Sequence, residues 1–157
     1  MTPSRVERAD AGDRTRAVEA VRAIARASRL LERASSEVSL AHYRVLSAIA
    51  SGDERASRIA ARLALGKPTV STAVDALCQR GLLVRGGLDR DQRVVALHLT
   101  PEGEALLKRV ETNMIRRIDD LRARTPDGAQ VIESLVWLGM AIEDEQAERA
   151  AGRAGSP

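Results

Sequence analysis

Ala56-Ser57-Arg58-Ile59-Ala60-Ala61-Arg62-Leu63, then Leu65-Gly66-Lys67-Pro68, then Thr69-Val70-Ser71-Thr72-Ala73-Val74-Asp75-Ala76-Leu77 is the stretch that decides the fold. In its first part Ile59, Ala60 and Leu63 recur at the spacing of a short helix with one buried side. Glycine and proline then break the run, and proline is well suited to the first position of a new helix. In that second helix Val70, Val74 and Leu77 fall at i, i+4 and i+7, so they share a face that must pack on the first helix. Thr69, Ser71, Thr72 and Asp75 are left pointing outward.

Gly81 supplies a C-terminal stop. Leu82-Leu83-Val84-Arg85 and Val94-Val95-Ala96-Leu97-His98-Leu99 read as strands, joined by Gly86-Gly87-Leu88-Asp89-Arg90-Asp91-Gln92-Arg93, which is too polar and glycine-rich for a core. Helix, turn, helix and hairpin make a winged helix-turn-helix. The fold class is therefore mainly α with a small two- to three-stranded antiparallel β wing. The outward residues of the second helix are small and hydrogen-bonding. They sit near a helix N-terminus, the end that enters a major groove first and whose partial positive charge favours phosphate.

Composition permits this without demanding it. The chain has 157 residues, 44% of them apolar, which suits one domain with a full core. A formal charge of +3 is modest, but its distribution is uneven. Between Arg55 and Arg93 eight basic residues (Arg55, Arg58, Arg62, Lys67, Arg80, Arg85, Arg90, Arg93) face three acidic ones (Asp75, Asp89, Asp91). From Thr125 onward two basic residues (Arg149, Arg153) face six acidic ones. The basic end is the one suited to phosphate. One cysteine excludes an internal disulfide, and with two histidines it leaves little for a metal site. No apolar run approaches the roughly 20 residues of a membrane span. The start of the chain, with Arg5, Glu7, Arg8, Asp10 and Asp13, lacks the apolar centre of a signal peptide. A soluble cytoplasmic protein is expected.

Along the chain, residues 1–13 have almost no apolar content and are expected to be disordered. A single domain over 14–150 follows, then a tail over 151–157. Within it, residues 14–35 carry Val18, Val21, Ile24, Ala25, Ser28, Leu30 and Leu31 at helical spacing. Ser39 is an N-cap for a helix containing Leu40, Tyr43, Val45, Leu46 and Ile49, and residues 39–100 form the winged helix-turn-helix lobe. Thr100-Pro101-Glu102 is a helix start: a hydroxyl cap, proline at the first position and acid in the first turn. Leu107, Val110, Met114, Ile118 and Leu121 carry that helix on. After Pro126-Asp127-Gly128, the residues Val131, Leu135, Leu138 and Ile142 carry a last one.

A winged helix-turn-helix needs only about 60 to 70 residues for its own core, in keeping with the size of small autonomous domains. The stripes over 14–35 and 101–149 therefore need another partner, and a second copy is the simplest. A two-fold homodimer buries them as dimerisation helices and sets two reading heads on successive major grooves, about 34 to 36 Å apart.

Tyr43-Arg44-Val45-Leu46, Ile59-Ala60, Thr69-Val70-Ser71, Gly81-Leu82, Asp91-Gln92-Arg93 and Leu99-Thr100-Pro101-Glu102-Gly103, in this order and spacing, resemble the signature of MarR-type transcriptional regulators. The resemblance covers about residues 39–107. It implies an obligate homodimer on a pseudo-palindromic double-stranded DNA operator, usually a repressor released by a small molecule or by thiol oxidation. It further implies that Arg93 enters the minor groove and that Asp91 orients the wing by pairing with arginine; Gln92 stands where the family more often has a basic residue. An effector pocket in this family lies where dimer helices meet the DNA-binding lobe, which here would involve Leu30, Leu31, His42, Tyr43 and Leu46. With so few aromatic residues the effector would be small and apolar or anionic.

The candidate DNA-contacting residues are Arg55, Lys67, Pro68, Thr69, Ser71, Thr72, Arg90 and Arg93, each with solvated surface as the bland alternative. Arg85 either braces Asp91 or touches DNA. Side chains as short as Thr69, Ser71 and Thr72 carry less base information than arginine, so the wing and DNA shape should supply much of the specificity. Cys78 lies at the edge of a buried face and has no second cysteine to resolve a sulfenic acid, yet a thiol-based redox regulator stays open beside the small-molecule one. No cofactor is implied, and no metal site, since His42 and His98 lack suitable company. The chain offers no Gly-x-Ser-x-Gly, phosphate loop or His-Glu-x-x-His, so no enzyme is expected. The remaining alternative is a helical interaction module that dimerises and ignores DNA.

Overall fold

A computed structural model describes residues 5–53, 55–87 and 95–154. The order is α1 (Arg5–Ala34), α2 (Leu40–Ala50), α3 (Ala56–Arg62), α4 (Lys67–Gln79), β1 (Leu83–Gly87), β2 (Val95–Leu99), α5 (Pro101–Arg122) and α6 (Gly128–Ala154). Helices dominate, and the described strands form one antiparallel pair in which Leu83 lies opposite Leu99, Arg85 opposite Leu97 and Gly87 opposite Val95.

The core belongs to the lobe formed by α2, α3, α4, the strand pair and the first half of α5. Val45, Leu46, Ile59, Val70, Val74, Leu77, Leu83 and Val110 are its fully buried centre. The i, i+4, i+7 face of α4 is thus the face that packs, as its spacing predicts. Both expected caps are present. Ser39 Oγ accepts from the His42 amide at 3.2 Å, and Thr100 Oγ1 accepts from the Gly103 amide at 3.0 Å.

The turn between α3 and α4 works differently from the sequence reading. Gly66 has an ordinary backbone, with φ −63. The left-handed residue is Ala64, with φ 51, held by its own amide on Ala61 O and by the Leu65 amide on Ala60 O. At the end of α4, Gly81 adopts φ 69, and the Leu82 amide closes onto Leu77 O at 3.0 Å, a glycine stop that a Cβ would strain.

Two boundary expectations need correction. The segment 1–13, expected to be disordered, is helical from Arg5 onward. It holds no proline after Pro3, and its arginines, glutamate and alanines favour helix by propensity even without an apolar stripe. The tail expected over 151–157 is helical through Ala154, because Ala150, Ala151 and Ala154 favour helix enough to carry Gly152.

The lobe hangs on α5 through a tight joint. Thr100 Oγ1 donates to Gly81 O at 2.7 Å while its amide donates to Leu82 O at 3.1 Å. Gly103 then passes so close beneath the chain that a Cβ there would stand 2.1 Å from Leu82 O. That neighbour is backbone and cannot swing aside. Gly103→Ala is accordingly expected to lower stability by about 1 to 3 kcal/mol, the usual cost of overpacking, read as a fall in the midpoint of urea unfolding followed by circular dichroism.

Candidate nucleic-acid interface

Helix α4 is amphipathic by side-chain chemistry as well as by polarity. Behind it Val70, Val74 and Leu77 are sealed in the core, and in front Thr69, Ser71, Thr72 and Asp75 are exposed. The helix starts with Pro68 in its first turn and no side chain caps its amides, so its positive end is open to solvent beside exposed Lys67. Thr72 Oγ1 donates to Pro68 O at 3.0 Å. Its hydroxyl proton is spent within the helix, and it presents outward a methyl group and acceptor lone pairs, which suit a thymine methyl or an exocyclic amine. Arg55 is exposed and precedes α3, its carbonyl accepting from the Arg58 and Ile59 amides.

The arginines divide into two groups that the sequence counts as one. Arg62 donates to Asp53 and Glu143, Arg80 donates to Glu37 O at 2.9 Å, and Arg85 donates to Asp75 Oδ1. These three are engaged within the chain. Among the described residues Arg55, Arg58 and Lys67 make no ion pair and remain available to phosphate.

Arg85 is the informative case. Side chains alternate along β1, so Arg85 shares a face with buried Leu83, the face turned toward α4. The guanidinium reaches the Asp75 carboxylate, whose hydrogen bond raises the arginine's proton affinity above its ordinary value. The strand and the helix that present the two candidate reading surfaces are thereby tied by one ion pair. Sequence reading placed Asp75 on the outward face and missed its partner, because nothing in a list of residues marks a contact between a helix and a strand ten residues further on. Arg90, Asp91, Gln92 and Arg93 lie outside the described residues, and with them the expected pairing of Asp91.

The expected effector pocket is distributed rather than gathered. Leu46 is completely buried in the core and Leu31 packs on that core, while His42 is half-buried. Leu30 lines a cleft of about 380 Å³ with Ile24, Ile118, Leu121, Val131 and Leu135, between α1, α5 and α6. Tyr43 lines another, of about 260 Å³, between α2, α3 and α6. Burial and the nearby Glu111 push the Tyr43 phenol pKa up, so it stays a neutral hydrogen-bonding group. Cys78 is partly buried against the core, and no cluster of metal-ligating side chains occurs among the described residues. No helix is long and apolar enough to cross a membrane among the described residues.

Since Asp75 and Arg85 are each about half exposed, their pair should contribute little to global stability, at most about 1 kcal/mol. Its role is local. Arg85→Gln is expected to lower hydrogen-exchange protection of the β1 and β2 amides while leaving α2 and α5 unchanged; equal loss across the lobe would instead mean that the pair holds up the core.

The sequence model of the MarR family matches residues 36–94. A candidate transcriptional regulatory protein for the hcr operon of Thauera aromatica is 32% identical over 71 residues, 45% of this chain and 43% of that protein, so the match spans less than half of that relative. Among solved structures, the transcriptional repressor CouR bound to a 23-mer DNA duplex superposes with a TM-score of 0.67 at 27% identity, over 79% of this chain and 89% of that one. The PcaV transcriptional regulator from Streptomyces coelicolor, in complex with its natural ligand, superposes with a TM-score of 0.59 at 22% identity, over 90% and 97% of the two chains. The family match covers the lobe from α2 toward the wing, the placement of the outer helices agrees with the solved structures, and the chain has the winged helix-turn-helix fold of MarR-type regulators.

Proposed function

We propose that the protein is a DNA-binding transcriptional regulator that acts as a homodimeric repressor on a pseudo-palindromic operator. The observation that carries this reading is α4: an exposed row of small hydroxyl side chains at an uncapped helix start, backed by a rigid aliphatic face. Thr69, Ser71 and Thr72 enter the major groove, Lys67 and Arg55 meet phosphates, and Arg90 and Arg93 carry the wing into the minor groove. The likeness to CouR, a repressor bound to a DNA duplex, supports the same assignment.

Surface area supports the dimer. A compact monomer of 16.9 kDa exposes roughly 7700 Å², whereas this chain exposes 11820 Å². The outer helices expose large apolar side chains, including Val21 and Ile24 on α1, Ile115 on α5 and Leu135, Trp137 and Met140 on α6. A second copy covering these residues would take exposed apolar surface out of water, which is what such faces on soluble proteins usually mark. Control by a small apolar or anionic effector fits the cleft between α1, α5 and α6, whose walls are aliphatic with Arg26 and Arg122 at hand. The cytoplasm is the compartment in which such a regulator works.

Duplexes enriched from a random 30-base-pair pool by the purified chain test the reading directly. Arg93→Ala is expected to weaken their binding by about 1 to 3 kcal/mol without altering oligomeric state, and affinity should fall steeply with salt as counterions are released. Failure to enrich any sequence, with a flat salt response, would favour the interaction module that ignores DNA. Val21→Glu puts a charge on a side chain that is 67% exposed in the single chain, where it would be harmless. Sedimentation equilibrium is expected to show the variant as monomer and the parent as dimer.

A further inference from the structure

Arg62 stands where the helix-turn-helix lobe meets α6. Its Nη1 donates to Asp53 Oδ2 at 3.1 Å, and its Nη2 donates to Glu143 Oε1 at 3.2 Å. The two carboxylates belong to different parts of the molecule. Asp53 lies nine residues away in the turn before α3 and is mostly buried, with 18% of its side chain exposed. Glu143 lies 81 residues away on α6 and is 64% exposed. One guanidinium therefore uses one edge of its fork to hold its own lobe and the other to grip an outer helix.

The packing around that grip is thin. A cleft of about 290 Å³ opens on one side, walled by Arg58, Ala61 and Gln146, and one of about 260 Å³ on the other, walled by Tyr43, Ser47 and Ile142. Both run up to Arg62 and Glu143 themselves. Gly139 deepens the second cleft, since a Cβ placed there would meet nothing within 4 Å. Where apolar closure is this sparse, a directional charged contact has more say over the angle between elements than it would in a close-packed seam.

We propose that Arg62 is a positioning residue which, through Glu143, sets the angle at which the helix-turn-helix lobe is carried on α6. The Asp53 arm keeps the arginine rigid, and the Glu143 arm transmits that rigidity to the scaffold. Because Glu143 is exposed, its arm is the one that added salt screens, the Debye length falling from about 8 Å at physiological ionic strength to about 3 Å at 1 M. The consequence for operator binding rests on the DNA-binding reading above; the geometry of the joint does not.

The test uses the full chain and its single tryptophan, Trp137 on α6, as an energy-transfer donor. In a Cys78→Ser background, Gln79→Cys at the exposed end of α4 carries the acceptor, and excess unlabelled Trp137→Phe chain keeps transfer within one protomer. Glu143→Ala is expected to shift transfer efficiency at low salt, and the parent should approach the variant's value as sodium chloride rises to about 1 M. Glu133→Ala, which removes an exposed acid elsewhere on α6, should match the parent. On duplexes enriched by the parent chain, Glu143→Ala should change affinity by about two- to fivefold, the range an exposed pair supports, and Glu133→Ala should not. Identical transfer in the parent and Glu143→Ala at every salt concentration overturns the proposal, as does an equal response to both alanine substitutions. If the parent enriches no duplex, the DNA-binding reading fails while the transfer measurement still decides the role of Arg62.

Discussion

Everything outward of the core depends on the joint at Thr100. A single hydroxyl donates to the carbonyl that ends α4 and accepts from the first turn of α5, and three residues later the helix passes under Leu82 with room for no side chain at all. The end of α4, the start of the strand pair and the start of α5 are thus locked within a few ångströms of one another. A force on α5 reaches the end of α4 through this point, with no flexible linker to absorb it. Close-packed joints of this kind switch between arrangements rather than bending smoothly.

Charge is handled with similar economy. Three of the arginines that make the lobe look basic are committed inside the chain: Arg80 donates to the carbonyl of Glu37, whose carboxylate Arg109 of α5 takes, Arg85 joins wing to helix, and Arg62 joins lobe to scaffold. Among the described residues from Arg55 to Gly87, the surface left to attract a polyanion is smaller than the count of basic residues suggests, and it is concentrated at the starts of α3 and α4. Long-range steering by such a surface is set by where charge stands free, not by how much is present.

The core was legible because helical periodicity is a local signal. Val70, Val74 and Leu77 announce a buried face by spacing alone, and Ser39 and Thr100 announce helix starts by their place before apolar runs and proline. What could not be read depends on partners distant in sequence. The match of Arg62 to Glu143 or of Arg85 to Asp75 leaves no periodic trace, and neither does the decision to put the left-handed turn residue at Ala64 while a glycine stands two positions on. The start of α1 at Arg5 escaped for another reason: a helix without an apolar stripe looks, in composition, like a disordered tail. For the interface, the outward row on α4 was visible in the sequence, whereas the pocket residues scattered, since Leu46 serves the core and Leu30 and Tyr43 face different clefts.

The left-handed Ala64 bears on how the lobe opens. Holding a residue with a Cβ in that conformation costs roughly 1 to 2 kcal/mol, and a helix as short as α3, with seven residues, does not persist by itself. In the folded lobe the packing of Ile59 and Val70 offsets that cost, so α3 and the turn depend on the same core. The amides of the helix-turn-helix should therefore open to solvent together, in one cooperative unit, rather than fraying helix by helix.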